Sequence, residues 1–269
     1  MSLIDYSAHN SIYSNLKVKK MSNQQVPEKV VRILMRDIFN NKLKAGTKLP
    51  PAKEISRQMK VDLSSLRIGL KQLESMNVLD IKQGDGIYVK DYVQHAGIDF
   101  LSLLFSQKDE NEQKMIVDDY FMDEIWEFWT AVFPEILKIA ANRFSPRDVK
   151  AIVGLINEEL ASLDDREKVI RLQEKQQDLV VKVANNTIFL LLANSTRPMR
   201  RKIIELFVNS IDRKTLETFA KTKVQLVKDY TSGTLTNSIS ASEKYREMLF
   251  LTRQAVKTAL AQRASTSLS

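Results

Sequence analysis

Within the run Asp62-Leu63-Ser64-Ser65-Leu66-Arg67, three side chains can meet an anion. The hydroxyls of Ser64 and Ser65 can donate to a phosphate oxygen, and the Arg67 guanidinium can contact phosphate or a base edge. Capping is the plainer role for the short polar residues here. A side-chain oxygen at a helix start accepts a free backbone N–H, which suits Asp62 or Ser64, and both roles can hold at once. A second constellation is aromatic: Tyr120, Phe121, Trp126, Phe128, Trp129 and Phe133. At helical spacing Trp126, Trp129 and Phe133 fall on one stripe. Two readings stay open for them, plain core packing or the wall of a pocket for an apolar ligand. Catalytic constellations are lacking. The 2 histidines are both N-terminal and leave little for general acid–base work. No P-loop, nucleophile elbow, metalloprotease or dinucleotide motif occurs. Asp118-Asp119 and Glu158-Glu159 are adjacent in sequence, do not share a helix face, and read as solvated charges. The chain is therefore expected to be neither an enzyme nor a cofactor carrier.

The elements that would position the first group lie around it. Val30, Leu34 and Ile38 recur at four-residue spacing, predicting a helix over 27–41 that opens with Pro27. Ala52 to Met59 is a second helical pattern, with Ile55 and Met59 on one face. Ser64 to Met76 is a third, with Leu66, Leu70 and Leu73 on one stripe. Val78 to Ile81 and Ile87 to Val89 are short apolar runs joined by Lys82-Gln83-Gly84-Asp85-Gly86, a turn whose glycines tolerate positive φ. Helix, turn, helix and hairpin is the order of a winged helix-turn-helix, whose second helix can enter a DNA major groove while the hairpin touches the backbone or minor groove. Residues 91–97 read as a linker. Beyond them the period is helical: 98–105, 113–142 with Pro134 expected to break or kink it, 145–163, 165–185, 187–194, 198–211, 213–230 and 240–262.

Length and charge agree with two domains of different character. The 269 residues suffice for two. Residues 1–93 hold 16 Lys and Arg against 9 Asp and Glu; residues 94–269 hold 25 against 24. The positive excess thus sits on the part that looks like a DNA reader, where a phosphate backbone needs it. The chain has no cysteine, which excludes disulfides and thiolate metal sites and suits a cytoplasmic location. No long apolar span or signal-type segment is visible. Residues 1–24 are a polar leader. It could also act as a basic arm through Lys17, Lys19 and Lys20, but three lysines are few.

The N-terminal third resembles the DNA-binding domain of the GntR family of bacterial transcription regulators. The matching residues are Gly46, Leu49 and Pro50, then Lys53, Glu54 and Ile55, then Val61, Ser65, Arg67, Leu70 and Leu73, and finally Gly84, Gly86 and Val89. The resemblance implies a DNA contact at Lys53, where the family has arginine, and minor-groove contacts at the wing tip, Gln83 and Gly84. Leu63 departs from the family pattern. It stands where an arginine is expected to read guanine, a contact worth about 1–3 kcal/mol of discrimination.

The helical remainder resembles the FadR-type branch, on the stretches AGIDFLSLLFSQ and VVKVANNTIFLLLANS. The expected fold is mostly α: a leader at 1–24, a winged helix-turn-helix at 25–92 and an all-helical antiparallel effector and dimerisation bundle at 93–269. Many domains of this branch bind a metal through one Asp and three His. The corresponding positions here are Gln173, Gln176 and Gln177, poor ligands for such metals, so no metal is expected. The branch's carboxylate-clamping arginine corresponds to Trp129. The expected partners are operator DNA, a second copy of the chain, and a small apolar effector such as an acyl-CoA against Trp126, Trp129 and Phe133. Arg143, Arg197, Arg200 and Arg201 are the arginines that could meet an anionic group of such a ligand. Two rivals stay open: a constitutive DNA binder whose bundle only dimerises, and an interaction module with weakened DNA binding.

Overall fold

The computed structural model describes residues 25–106, 119–235 and 237–266. The leader at 1–24, and the first residues of the helix expected from Gln113, lie outside them. The chain forms two compact units, Met1–Ile116 and Val117–Ser269.

In the first unit α1 spans Gln25–Phe39, α2 Ala52–Met59 and α3 Leu63–Ser75. Their apolar stripes close one core, with Val30, Leu34, Ile38, Ile55, Met59, Leu66, Leu70 and Leu73 all buried. The turn between α2 and α3 passes through Lys60 in the left-handed region, φ 52°. Ser56 Oγ donates to the Val61 carbonyl at 2.6 Å and fixes it. Gly69 lets α1 and α3 approach: a Cβ there would lie 2.9 Å from Val30 Cγ1 and 3.1 Å from the Pro27 carbonyl oxygen. Gly69→Ala should therefore cost about 1–3 kcal/mol by overpacking. Thermal unfolding checks this, and an unchanged midpoint would mean that α1 shifts freely.

The hairpin strands β2, Leu79–Lys82, and β3, Gly86–Val89, pair antiparallel. The sequence reading missed β1, Lys48–Leu49, which pairs on the other edge of β3 in the order β1-β3-β2. Two residues carry no period, so only the pairing reveals this strand. The expected linker also holds structure. Asp91 caps a single turn, α4 at Tyr92–His95, by accepting from the Val93 N–H at 3.0 Å. Tyr92 stacks on Phe100 with centroids 5.0 Å apart and lies 5.9 Å from Phe39. Those rings attach α5, Ile98–Ser106, to the first unit, whereas the sequence reading put that helix in the second.

The second unit is helical: α6 Asp119–Ala141, α7 Pro146–Leu160, α8 Arg166–Val183, α9 Thr187–Ser195, α10 Arg197–Ser210, α11 Arg213–Thr231 and α12 Ser238–Thr266. Short connections make successive long helices run antiparallel. Helix α6 packs on α12, α7 on α8 and α11, and α10 on α8. Of the break or kink expected at Pro134, the break does not occur: α6 runs through the buried proline as one helix. The start of α7 is a capping box, with Ser145 Oγ accepting from the Asp148 N–H and Asp148 accepting from the Ser145 N–H.

Candidate DNA interface and effector cavity

Asp62 caps α3 by accepting from the Ser65 N–H at 2.8 Å. Its hydrogen bonds with Ser65, side chain first and backbone second, hold its carboxyl below the ordinary aspartate range. The cap fixes which way α3 presents its faces. Ser64, Arg67 and Lys71 are exposed on one side, and Leu66, Leu70 and Leu73 are buried on the other. Ser65 departs from expectation, being 8 % exposed, so of the two serines Ser64 is the one that faces out. Leu63 is half-buried at the start of the helix. Sequence reasoning missed Ile68, a large apolar side chain 58 % exposed on the outer face beside Arg67. Its signal was positional: it lies four residues after Ser64, off the stripe of Leu66, Leu70 and Leu73. Lys53 is exposed on α2.

The wing is organised by charges that the sequence reading did not single out. Register sets Lys48 opposite Tyr88, and Tyr88 opposite Asp80. Lys48 Nζ bonds Asp85 Oδ1 at 2.9 Å, and the Tyr88 hydroxyl donates to the same carboxylate at 3.0 Å. The Lys48 and Lys82 ammoniums flank the Tyr88 ring at 5.3 and 5.0 Å from its centroid. The hydrogen bond to Lys48, then that from Tyr88, holds the Asp85 carboxyl below the usual carboxylate range. Gln83 and Gly84 are left exposed at the tip, with Gly84 at φ 80° in open space. The surface assembled this way combines cations, a hydroxyl, an amide and one apolar group, the mixture that meets phosphates and base edges.

In the second unit Trp126, Trp129 and Phe133 are buried, at 3 %, 4 % and 1 % exposure. Trp129 and Phe133 stack with centroids 5.0 Å apart. All three line a cavity of about 130 Å³, together with Ile152, Ile156, Val180, Ile203 and Phe207. Polar groups enter that lining from Gln173, Gln176, Gln177, Lys223 and Tyr245.

At their centre is an ion pair, one member of which the sequence reading took for a solvated charge. Glu159 is 0 % exposed, not a solvated charge. Neighbouring helical residues point about 100° apart, so Glu158 faces solvent while Glu159 faces inward. Lys223 on α11 donates to Glu159 Oε2 at 2.5 Å and to Gln176 Oε1 at 2.7 Å. Gln173 Nε2 donates to Glu159 Oε1 at 2.9 Å, and Gln176 Nε2 to Oε2 at 2.7 Å. Burial pushes the Lys223 ammonium below its ordinary pKa, and the Glu159 charge opposes that shift. The donor set does not fit the metal held by many domains of the resembled branch. Gln173 and Gln176 are committed to Glu159, and the lysine ammonium is itself the bound cation.

The arginines considered as ligand partners are engaged. Arg143 donates to the Ala184 carbonyl, and Arg197 and Arg200 bond Asp178 at 2.9 and 2.6 Å. Arg201 bonds Glu167, Glu174 and Glu205. Arg200 is fully buried, with its guanidinium carbon 6.0 Å from the centroid of the Trp129 ring.

Comparison with known proteins falls on the same parts. Residues 27–89 match the model of "Bacterial regulatory proteins, gntR family". The chain is 26 % identical over 185 residues to the HTH-type transcriptional regulator Mce2R of Mycobacterium tuberculosis, covering 68 % of this chain and 73 % of that protein. It is 24 % identical over 172 residues to the HTH-type transcriptional regulator LutR of Bacillus subtilis, covering 61 % and 74 %. A solved structure described as "Lar controls the expression of the Listeria monocytogenes agr system and mediates virulence" aligns with a TM-score of 0.51 at 16 % identity, covering 90 % of this chain and 99 % of that one. This last likeness is one of fold. Among the described residues no helix is long and apolar enough to cross a membrane. The winged helix-turn-helix at residues 27–89 thus matches the gntR family of bacterial regulatory proteins, and the relatives that the chain resembles over much of its length are named as HTH-type transcriptional regulators.

Proposed function

We propose that the chain is a FadR-type regulator that binds operator DNA as a homodimer and releases it when a compact apolar ligand occupies the helical unit. The observation that carries the reading is the coexistence of two sites in separate units. One is the outward face of α3 with the wing beside it; the other is an apolar cavity with a small polar head. DNA contacts are assigned to Lys53, Ser64 and Arg67, to Gln83 and Gly84 at the wing tip, and additionally to Ile68 against a thymine methyl. Ser65 serves chiefly the cap. Exposed apolar side chains support self-association of the second unit: Ile188 and Leu191 on α9, at 69 % and 58 %, and Phe250 and Leu251 on α12, at 51 % and 60 %. A two-fold dimer would set its reading helices roughly 34–36 Å apart, and a ligand that alters this spacing lowers affinity. The size of the cavity argues against a whole acyl-CoA. Sites for drug-sized ligands run to roughly 300–1,000 Å³, whereas this one measures about 130 Å³.

Fluorescence anisotropy with DNA from upstream of the protein's own coding region tests the first half. The expected result is tight binding whose logarithm falls linearly with the logarithm of salt concentration, because each neutralised phosphate releases counterions. Binding no tighter than to an unrelated duplex would favour the interaction-module reading. Oligomeric state by sedimentation tests the second half, and a monomer at micromolar concentration would remove the dimer.

A further inference from the structure

The polar head of the cavity can be counted group by group, and the count selects a chemistry. The Glu159 carboxylate accepts three hydrogen bonds, from Gln173 on Oε1 and from Gln176 and Lys223 on Oε2. The Lys223 ammonium has three protons and uses two, toward Glu159 and Gln176. Its third proton makes no hydrogen bond among the described residues, although the ammonium also lies 5.0 Å from the centroid of the Phe219 ring. On the acceptor side, Gln177 Oε1 is buried and has no hydrogen-bond partner among the described residues. Lys223 and Gln177 both line the same cavity, whose other walls are mostly apolar, with Trp126, Trp129 and Phe133 among them; the hydroxyls of Thr231 and Thr252 there donate to the Val227 and Met248 carbonyls, and those of Tyr230 and Tyr245 complete the polar lining. An unmet buried polar atom is costly, so a ligand that supplies its partner gains that cost back. Charge is already balanced, because Glu159 and Lys223 cancel. Arg200 lies outside the lining: its Nη2 bonds Asp178, a carboxylate shared with Arg197, while its buried Nε and Nη1 make no hydrogen bond among the described residues and the guanidinium lies over the Trp129 ring.

We infer that the cavity takes a compact, uncharged, mostly apolar molecule carrying one hydroxyl. A hydroxyl is the smallest group that both donates, here to Gln177 Oε1, and accepts, here from Lys223. A hydrocarbon of the same shape meets neither atom. A carboxylate can accept from Lys223 but has no proton for Gln177, and it brings an unbalanced charge into an apolar site. The volume of about 130 Å³ is close to that of an engineered apolar cavity, roughly 150 Å³, that binds benzene. The ligand body is therefore about one six-membered ring or a short branched chain. This inference deepens the proposed effector reading and rests on it only for the consequence at DNA.

Phenol, benzene and benzoate, titrated into the intact chain by calorimetry, are the probes. The expected order is phenol at least tenfold tighter than benzene, with benzoate the weakest. Gln177→Leu is the decisive variant, because that side chain makes no hydrogen bond among the described residues and its replacement keeps a similar volume. It should fold with an unchanged or higher melting temperature and reduce the preference for phenol over benzene to threefold or less. Equal affinity for benzene and phenol would mean that water already satisfies both atoms, and the inference would fall. It would fall equally if benzoate bound best, if none of the three bound, or if Gln177→Leu kept the full preference for phenol. A separate titration of phenol into the protein–DNA complex addresses the regulatory reading. Binding with the expected order but no change in DNA affinity upholds the ligand chemistry and removes regulation.

Discussion

Lys223→Met should lower the stability of the helical unit by about 3–5 kcal/mol, read as a lower urea midpoint with little change in slope. The cause is the group left behind. Glu159 is fully enclosed between α7, α8 and α11, and without Lys223 its negative charge keeps only the two glutamine amides. A buried carboxylate in that position must either take up a proton or draw water into the bundle, and both cost stability. The double variant Glu159→Leu with Lys223→Met should recover part of the loss. Packed apolar side chains can replace a buried ion pair at small cost, although Gln173 and Gln176 then lose their shared acceptor. A single variant within about 1 kcal/mol of the native protein would mean that water screens the pair, because solvated ion pairs contribute no more than that.

That pair shows what the sequence could and could not reveal. On α7 the inward stripe reads Ile152, Ile156, Glu159, and on α11 it reads Leu216, Ala220, Lys223. Each stripe is apolar except for one charge, and the charges are opposite. Periodicity alone therefore marks both residues as inward-facing. What it cannot give is that α7 and α11 are neighbours, so Glu159 reads as a solvated charge and Lys223 is not singled out. The same limit explains the first unit. Its α2, α3 and hairpin are local patterns and were legible within a residue or two of their bounds. The strand β1 and the attachment of α5 to the first unit, though not the helix itself, depend on partners distant in sequence, Tyr88 for Lys48, and Phe39 for Tyr92 and through it Phe100. In the cavity, the aromatic stripe was legible as a stripe, but its polar head joins α7, α8 and α11 and was not. On α3 the buried face was read and the outer one only in part, so Ile68 escaped notice as an apolar residue that follows no apolar period.

The second large effect is expected at the DNA face. Arg67→Ala should weaken operator binding by about one to two orders of magnitude, with the fold intact, because the exposed guanidinium packs against nothing in the core. The salt dependence identifies what it touches. If Arg67 neutralises a phosphate, the slope of log affinity against log salt falls by about 1 and weakening is uniform across sequences. If it reads a guanine, the slope changes less and discrimination collapses at one operator position. Unchanged affinity would take Arg67 out of the interface. Leu63→Arg runs the other way. Leu63 is half-buried at the N-terminal end of α3, where the family pattern places an arginine, and Asp62 beside it is committed to the cap. A guanidinium there adds a positive charge and two forked donors near the groove, so binding to a GntR-type operator should strengthen. The position then also separates two causes of the native leucine. If the variant binds the family-type operator more tightly but the protein's own operator more weakly, Leu63 is a specificity residue that packs on a base methyl. Weaker binding to both, with a lower melting temperature, would assign Leu63 to the core of the first unit and leave base reading to Ser64, Arg67 and Ile68.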